Sequence, residues 1–293
     1  MLYIVITALA FTPGLFWLWI AYRWDKFQPE PRWLVIRTFL LGMAAVIPVA
    51  IIETVLGFAN PEAANAANVS AFNIAYEAFI VAGVTEELAK FFVVYLTIYR
   101  NRHFDESTDG IIYASAAALG FASVENLFYM ISFGWQVIAL RSVISTLGHL
   151  LFSVIWGYPL ALRKIKRRGS TALLWLGLAG AIIAHGFYDF VLFTQSWFAL
   201  LIIPIMVGLI AALVLMIRHA RKISAFRIKP AVFEKTCPGC AGKIPADALF
   251  CTHCGMRIGD SAVEKAVICN KCGAVLKQGD VFCYRCGNKL TGV

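Results

Sequence analysis

The chain has 293 residues, of which 60% are hydrophobic and only 15% are charged. A soluble domain carries about 25% charged residues, so the composition excludes an ordinary soluble globular protein. The formal net charge of +9 comes largely from lysines and arginines that flank apolar stretches. Basic residues in these places orient the spans of a membrane protein. The charge therefore gives little support to nucleic acid as a partner.

Seven apolar stretches are long enough to cross a bilayer as helices, because a hydrocarbon core about 30 Å thick needs roughly 20 apolar residues. The predicted spans cover residues 2–22, 34–58, 72–99, 110–133, 136–162, 172–193 and 197–217. The first span lacks a basic leader and an obvious cleavage site, so we expect a retained helix and not a signal peptide. The predicted fold class is an all-α polytopic membrane protein, with about seven transmembrane helices in residues 1–220 and a small cysteine-rich tail.

Basic residues indicate the orientation of the spans, because lysine and arginine are enriched in cytoplasmic loops. They follow the first, third, fifth and seventh spans, as Arg23, Lys26, Arg32, Arg100, Arg102, residues 163–168, Arg218, Arg221 and Lys222. The loops after the second, fourth and sixth spans contain no lysine or arginine. We therefore expect the N-terminus outside and the C-terminus in the cytoplasm.

The tail contains two copies of one cysteine pattern, C-x2-C, ten residues and C-x2-C. The two copies use all eight cysteines of the chain: Cys237, Cys240, Cys251, Cys254, Cys269, Cys272, Cys283 and Cys286. Two such turns aim four thiolates at one zinc ion, so we predict zinc ribbons at 236–258 and 268–290, after a basic linker at 221–235. Disulfides are the alternative, but they rarely persist in the cytosol. Four cysteines leave no open coordination position, so the two predicted zinc ions are structural.

The ribbons are predicted to bind a cytosolic protein or to regulate the chain. The negative charge of two zinc–thiolate centres offsets much of the tail's basic excess. Tyr284 is the aromatic residue that stands out as a base-stacking candidate near a knuckle, which is a weak footprint for nucleic-acid binding. His253 lies between two cysteine ligands, and we expect it to be a surface residue and not a ligand.

The third span carries Glu86, Glu87 and Lys90 inside an otherwise apolar stretch. A charged residue at the bilayer centre costs about 2.5–3.5 kcal/mol on insertion scales, so some interaction has to offset these charges. Lys90 follows Glu86 by four residues, on the same helical face and in the favourable orientation for an ion pair. The pair is either a structural bridge or part of a functional site.

Three further spans carry polar residues at a similar depth. These are Glu125 and Asn126 in the fourth span, His149 in the fifth, and His185 and Asp189 in the sixth. At a helical rise of 1.5 Å per residue, they lie between the middle of the membrane and its outer leaflet, as Glu86 does. We therefore predict one buried polar site that opens outward. Structural alternatives remain: interhelical hydrogen bonding for Glu125 and Asn126, packing for His149, and a self-contained pair for His185 and Asp189. Glu53 and Arg141 are expected at the membrane interface.

Several activities are compatible with such a site. A glutamate could take a proton from water and hydrolyse a peptide bond inside the membrane, with histidines positioning the water or stabilising the oxyanion. The same residues could relay protons or cations in a transporter, although no internal repeat is evident among the spans. His149, His185, Asp189 and a glutamate could instead bind zinc. The tail adds a further interpretation, a membrane-anchored interaction scaffold.

Four sequence features in chain order favour the first activity. EELAK at 86–90 matches E-E-x-x-K, FASVEN at 121–126 matches F-x-x-x-E-N, and HGFYD at 185–189 matches H-x-x-x-D, with His149 between the last two. With these motifs, residues 1–220 resemble the PrsW family of glutamic-type intramembrane proteases, which is related to the CAAX-processing (ABI) proteases. Lys90 and Glu125 place the chain on the PrsW side. The motifs H-E-x-x-H, G-x-G-D and G-x-S-G of other intramembrane proteases are absent.

The resemblance implies a peptidase with no metal in its catalytic site. The implied catalytic residues are Glu86, Glu87, Lys90, Glu125, Asn126, His149, His185 and Asp189. Glu86 would be the general base, Lys90 would hold or tune it, and His149 would help to orient the water. His185 would stabilise the oxyanion, and Asp189 would orient His185. The implied substrates are membrane-anchored proteins, such as anti-sigma factors, cut on the outer side of a bacterial inner membrane.

Overall fold

The computed structural model describes residues 2–58, 70–165, 171–194, 197–224, 234–245, 251, 253–257, 267–268 and 275–276. The chain divides into two compact units, Met1–Arg227 and Ile228–Val293. In its described residues the first unit contains only helices and their connections, and the second contains short antiparallel hairpins.

Helices, most of them long and apolar, make up the described part of the first unit. Their bounds are α1 Leu2–Tyr22, α2 Arg32–Phe58, α3 Ala71–Ala75, α4 Thr85–Thr97, α5 Ser107–Phe133, α6 Ile138–Val143, α7 Ser145–Ile165, α8 Thr171–Phe193 and α9 Ile202–Ile223. Among the described residues, six helical stretches are long and apolar enough to cross a membrane: Tyr3–Tyr22, Arg32–Gly57, Ser107–Phe133, Trp135–Ile165, Thr171–Phe193 and Trp197–Ile223. The chain is therefore an integral membrane protein, and the predicted all-α polytopic fold is confirmed.

The third predicted span is helical but is not a regular α-helix. Between α3 and α4 the chain forms a π-helix at Tyr76–Val84. Four charged residues, Glu77, Glu86, Glu87 and Lys90, also set this segment apart from the other six. A π-helix adds a residue to each turn and often marks a functional site. Here it determines which face of α4 carries the adjacent glutamates.

Two glycines allow the π-helix to approach α8. A β-carbon at Gly186 would lie 2.4 Å from the ring of Phe79, and one at Gly83 would lie 3.0 Å from the carbonyl oxygen of Ile182. The first separation is impossible for a side chain and the second is tight, so the contact depends on both glycines. The contact brings the start of α4 beside the helix that carries His185.

The central helix of the unit is α5, which packs against α1, α2 and α7. A β-carbon at Gly110 would lie 2.0 Å from the carbonyl oxygen of Gly157 on α7, and one at Gly120 would lie 2.0 Å from that of Phe39 on α2. Small residues at helix contacts are typical of membrane proteins, where van der Waals packing drives association. This packing fixes α5 and α7, which both contribute to the site, relative to each other.

The described residues of the second unit form two short hairpins. β1 (Glu234–Thr236) pairs antiparallel with β2 (Lys243–Pro245), and β3 (Val267–Ile268) pairs antiparallel with β4 (Val275–Leu276). The first C-x2-C pair of each predicted ribbon falls in sequence between the two strands of one hairpin. The strand pattern therefore repeats as the cysteine pattern does.

Candidate active site

The polar residues predicted from four spans meet at one cavity of about 550 Å³. Its wall includes Glu86, Glu125, His149, His185 and Asp189. The cavity extends to Glu53 near the end of α2 and to Phe193 at the end of α8. It thus reaches toward the end of the bundle opposite to the basic end, which we define by Arg23, Arg100, Lys164 and Arg221.

The ammonium group of Lys90 lies at the centre of the cluster, with no exposed surface. Its Nζ is 2.9 Å from Glu86 Oε2, 3.0 Å from Glu87 Oε1 and 3.0 Å from His149 Nδ1. An ammonium group has three protons, and these three partners can accept all of them. The ring of Phe121 lies 4.6 Å from Nζ and adds a cation–π contact. The pairing proposed from the i, i+4 spacing is present, and it is one part of a larger network.

The two adjacent glutamates occupy different environments. Glu87 is fully buried, and besides Lys90 it accepts hydrogen bonds from Ser153 Oγ and Trp156 Nε1, both at 3.0 Å, while His185 Nδ1 lies 3.1 Å away. Both of its oxygens are occupied by donors. Glu86 is on the cavity wall and gives only Oε2 to Lys90. Its Oε1 accepts no hydrogen bond from a described residue, so it can face a water molecule or a substrate.

The partners of the two histidines indicate where their protons lie. An ammonium can only donate, so His149 Nδ1 accepts from Lys90 and the ring proton is on Nε2, which lies 2.7 Å from Glu125 Oε2. A carboxylate can only accept, so His185 carries a proton on Nδ1, which faces Glu87. Nε2 of His185 is left on the cavity side, 3.3 Å from Asp189 Oδ2 and 3.8 Å from Glu86 Oε2.

Glu125 forms an ion pair with Arg141 of α6, whose Nη2 lies 2.9 Å from Glu125 Oε1. The guanidinium group lies over the ring of Tyr129 at 3.7 Å and donates from Nε to Asn126 Oδ1 at 2.8 Å. Asn126 is fully buried and donates to Thr146 Oγ1 at 3.0 Å. Asn126 is absent from the cavity wall, as are Glu87 and Lys90. These three residues therefore support the residues on the wall.

Sequence reasoning missed several supporting residues. Ser153 and Trp156 follow His149 at positions i+4 and i+7, the spacing of one helical face, and that spacing was the signal available for them. Glu53 and Arg141, which were expected at the membrane interface, both lie on the cavity wall. Arg141 pairs with Glu125 across the cavity wall, and Glu53, also on that wall, accepts a hydrogen bond from Thr85 at 3.2 Å.

The fold and the site together define a class of protein: a polytopic membrane protein with carboxylate and imidazole groups gathered in a cavity between its spans. The family model described as "PrsW family intramembrane metalloprotease" matches residues 30–217. The chain belongs to the PrsW family. It is an intramembrane protease and its substrate is a protein, so transport and a scaffold role are not favoured.

Relatives with known names agree with this assignment. Protease PrsW of Oceanobacillus iheyensis is 37% identical over 198 residues, which cover 67% of this chain and 86% of that protein. Protease PrsW of Geobacillus kaustophilus is 34% identical over 184 residues, which cover 63% of this chain and 78% of that protein. Protease PrsW of Bacillus subtilis is 33% identical over 198 residues, which cover 67% of this chain and 87% of that protein. No solved structure matches the chain.

The word metalloprotease in the family description raises the question of a metal at this cavity. Glu86, His149 and His185 each offer a donor atom, and the three atoms lie within 4.8 Å of one another. However, Lys90 takes the lone pair of His149 Nδ1 and a lone pair of Glu86 Oε2, while His149 Nε2 faces Glu125. A cation is therefore already positioned among these donors. The donor types suit zinc, but their arrangement around Lys90 does not fit a metal ion.

The tail matches a double zinc ribbon over residues 237–287. Cys237, Cys240, Cys251 and Cys254 place their sulfur atoms within 4.8 Å of one another and form no disulfide. Cys237 and Cys254 are 3.7 Å apart at sulfur, and Cys240 and Cys251 are 3.5 Å apart. Zn–S bonds of about 2.3 Å in a tetrahedron require sulfur separations of about 3.8 Å, so the set fits zinc. His253 is exposed and is outside this set, as predicted.

The backbone of the first ribbon has the geometry expected of C-x2-C turns that bind a metal ion. Gly255, directly after Cys254, has φ +72°, a conformation that glycine tolerates best. The backbone amides of Gly239 and His253 each donate to a cysteine sulfur at 3.4 Å. The four cysteines predicted for the second ribbon, Cys269, Cys272, Cys283 and Cys286, lie outside the described residues.

Proposed function

We propose that the chain cleaves membrane-anchored proteins with a water molecule that Glu86 activates. One observation carries this proposal: of the two adjacent glutamates, only Glu86 lines the cavity and keeps an oxygen without a described hydrogen-bond donor. A general base has to reach the proton that it removes. Glu87 is surrounded by donors and cannot do so.

Hydrolysis begins when Glu86 removes a proton from water. The water oxygen forms a bond to the carbon of the scissile carbonyl group, and the carbonyl oxygen takes up the negative charge. Glu86 then passes its proton to the amide nitrogen as the C–N bond breaks. The products are a free amine and a carboxylic acid, so all atoms and protons of the water are accounted for.

His185 is the group best placed to assist the oxyanion. The carboxylates of Glu87, Asp189 and Glu86 surround its ring and favour the doubly protonated imidazolium form. In that form the Nε2 proton, on the cavity side, is available to a developing negative charge. Fixed donors aimed at an oxyanion are a large contribution to catalysis. Glu87 holds the other nitrogen, and Phe152 stacks on the ring at 4.9 Å between centroids, so the orientation of the imidazole is fixed before the substrate arrives.

The remaining residues position these two groups. Lys90 holds Glu86 Oε2 and so directs Oε1 to the cavity. His149 uses both nitrogens to connect Lys90 with Glu125, and it orients the water only through them. Asn126 holds Arg141, and Arg141 in turn balances the charge of Glu125.

The proposed orientation places the N-terminus outside and the C-terminus in the cytoplasm of a bacterial inner membrane. The loops of the basic end support it, because basic loops favour the cytoplasmic side. The cavity reaches toward the other end, near Glu53 and Phe193. A substrate is then cut in the outer half of the membrane, as a membrane-anchored regulator of the anti-sigma-factor kind would be. The two zinc ribbons are in the cytoplasm, where a protein partner binds to them.

Mapping new protein termini tests the function. Cells that express the wild type are compared with cells that express Glu86→Gln at the same level, and N-termini of membrane proteins are identified by mass spectrometry. We expect termini near the outer ends of predicted spans that occur only with the wild type. Identical termini in both cultures, under several envelope stresses, would contradict the proposed protease activity.

Zinc content tests where metal is bound. Each closed site of four cysteines holds one ion, so purified full-length protein should contain about two zinc ions per chain by elemental analysis. Cys237→Ser should lower the content to about one ion. His149→Ala combined with His185→Ala should leave it at about two. A third ion that is lost with the histidine substitutions would place a metal in the cavity and contradict the water activation by Glu86 alone.

A further inference from the structure

A second group of buried carboxylates lies at the basic end, remote from the cavity. Asp25 follows α1, Glu106 is the N-cap of α5, and Asp109 is in the first turn of α5. Oxygen atoms from the three side chains lie within 4.8 Å of one another. Their exposed fractions are 5%, 2% and 0%. We call these three residues the acidic cluster.

Helix capping accounts for only part of the acidic cluster. Asp109 Oδ2 accepts from the backbone amides of Asp105 and Glu106, at 2.7 and 2.6 Å, and Asp25 Oδ1 accepts from those of Phe27 and Gln28, both at 3.1 Å. Asp25 Oδ2 is buried and has no hydrogen-bond partner among the described residues. Asp109 Oδ1 is also buried and accepts no N–H or hydroxyl donor there, but the Asp109 carboxyl shares a hydrogen bond with the carboxyl of Glu30. Buried carboxylate oxygens are normally satisfied by a donor or a metal ion.

No nearby cation forms a direct ion pair with the acidic cluster. None of its three residues forms a salt bridge with a lysine, arginine or histidine in the part of the chain that the structure describes. At the same end, Arg221 donates to the carbonyl oxygen of Trp24, and Lys164 donates to that of Asn101. Both side chains therefore make their described hydrogen bonds to backbone groups, and Lys164 acts on Asp109 and Glu30 only from a distance.

A fourth carboxylate increases the local negative charge. Glu30 accepts a hydrogen bond from Tyr113 at 2.5 Å and is also buried. Its carboxyl also shares a hydrogen bond with that of Asp109. Burying this many carboxylates together is unfavourable unless shared protons or a cation compensate for their charge.

We propose that the acidic cluster binds a hard divalent cation, Mg²⁺ or Ca²⁺. Both ions prefer carboxylate and other oxygen ligands and complete their coordination with water. Asp25 Oδ2 is the buried oxygen that the ion would satisfy, and Glu106 and Asp109 supply the other two carboxylates. The site differs from the cavity in position and from the ribbons in ligand type, because thiolates select zinc.

The ion would join three parts of the first unit. Asp25 belongs to the connection between α1 and α2, and Glu106 and Asp109 belong to the start of α5. Ser224, at the end of α9, donates a hydrogen bond to Glu106 Oε1 at 2.6 Å. A bound ion would therefore stabilise the end of the last transmembrane helix, from which the chain continues to the ribbons.

Manganese binding to the full-length protein tests this site, because Mn²⁺ accepts the same ligands and its free form is counted by electron paramagnetic resonance. The zinc-loaded protein in detergent should bind about one Mn²⁺ per chain at concentrations up to about 1 mM. Mg²⁺ or Ca²⁺ should displace it. Asp25→Asn and Glu106→Gln should each weaken the binding at least about tenfold.

Two matched carboxylate substitutions provide the control. Glu77→Gln and Glu86→Gln, at the other end of the bundle, should leave Mn²⁺ binding unchanged. Zinc content and a single size-exclusion peak identify the variants that are folded. Mn²⁺ binding by the wild type tests the proposal even if a variant fails this check. The proposal is overturned if the wild type binds no Mn²⁺, if binding persists in both cluster variants, or if Glu86→Gln removes it.

Discussion

Replacing Glu86 with glutamine is expected to reduce cleavage by about 10²–10⁴-fold, the usual contribution of a general base. The amide oxygen can still accept a hydrogen bond from Lys90, whose charge remains paired with Glu87. The variant should therefore fold normally and unfold at nearly the wild-type temperature. The rate is measured as the appearance of the termini that only the wild type generates, at matched expression levels.

The adjacent Glu87 provides the matched comparison, since Glu87→Gln makes the same change in charge on the same helix. An amide NH₂ at this position would face Trp156 Nε1, Lys90 Nζ or His185 Nδ1, all of which donate. We expect Glu87→Gln to lower both thermal stability and activity. Full activity in Glu86→Gln would exclude it as the base, and equal loss of stability in both variants would remove the distinction between the two residues.

Replacing Lys90 with methionine is expected to lower the free energy of unfolding by about 3–5 kcal/mol, the range for removing one partner of a buried ion pair. Glu86 and Glu87 would then be buried side by side without their shared cation. Methionine has a similar length and suits the apolar contact with Phe121, so the loss reports charge and not volume. Thermal and denaturant unfolding in detergent micelles measure the change.

A double substitution separates charge from packing. Adding Glu87→Gln to Lys90→Met removes the more deeply buried of the two unpaired charges, so the double variant should be more stable than the sum of the single effects predicts. Such coupling is expected for residues in one network. Additive effects would show that Lys90 contributes mainly through its shape. Activity should stay low in both variants, because Glu86 loses the partner that holds it.

The motifs predicted much of the site, because chemistry restricts which residue types can be buried in a membrane. Glu86, His149, His185 and Asp189 were found from their polarity and depth, and the structure brings all four to one cavity. The orientation of Asn126 was not predictable. It directly follows Glu125 in sequence, but a helix turns by about 100° per residue, so one side chain faces the cavity and the other faces α7.

The π-helix is the element that sequence patterns could not predict. Its composition is that of an ordinary apolar span, and its geometry depends on the contact that Gly83 and Gly186 permit between it and α8. That contact sets the rotation of α4. The rotation decides that Glu86 lines the cavity while Glu87 turns toward Ser153 and Trp156.

By itself the sequence determined the membrane class, the long apolar helices, the double zinc ribbon and most of the polar residues that meet around the cavity. These features follow from local rules, because span length, ligand spacing and the burial of charge are properties of short segments. Only the tertiary structure decided which glutamate is free, that Arg141 neutralises Glu125, and that Asp25 meets Glu106 and Asp109. Those pairings join distant segments, and they depend on helix rotation and close packing that no single segment encodes.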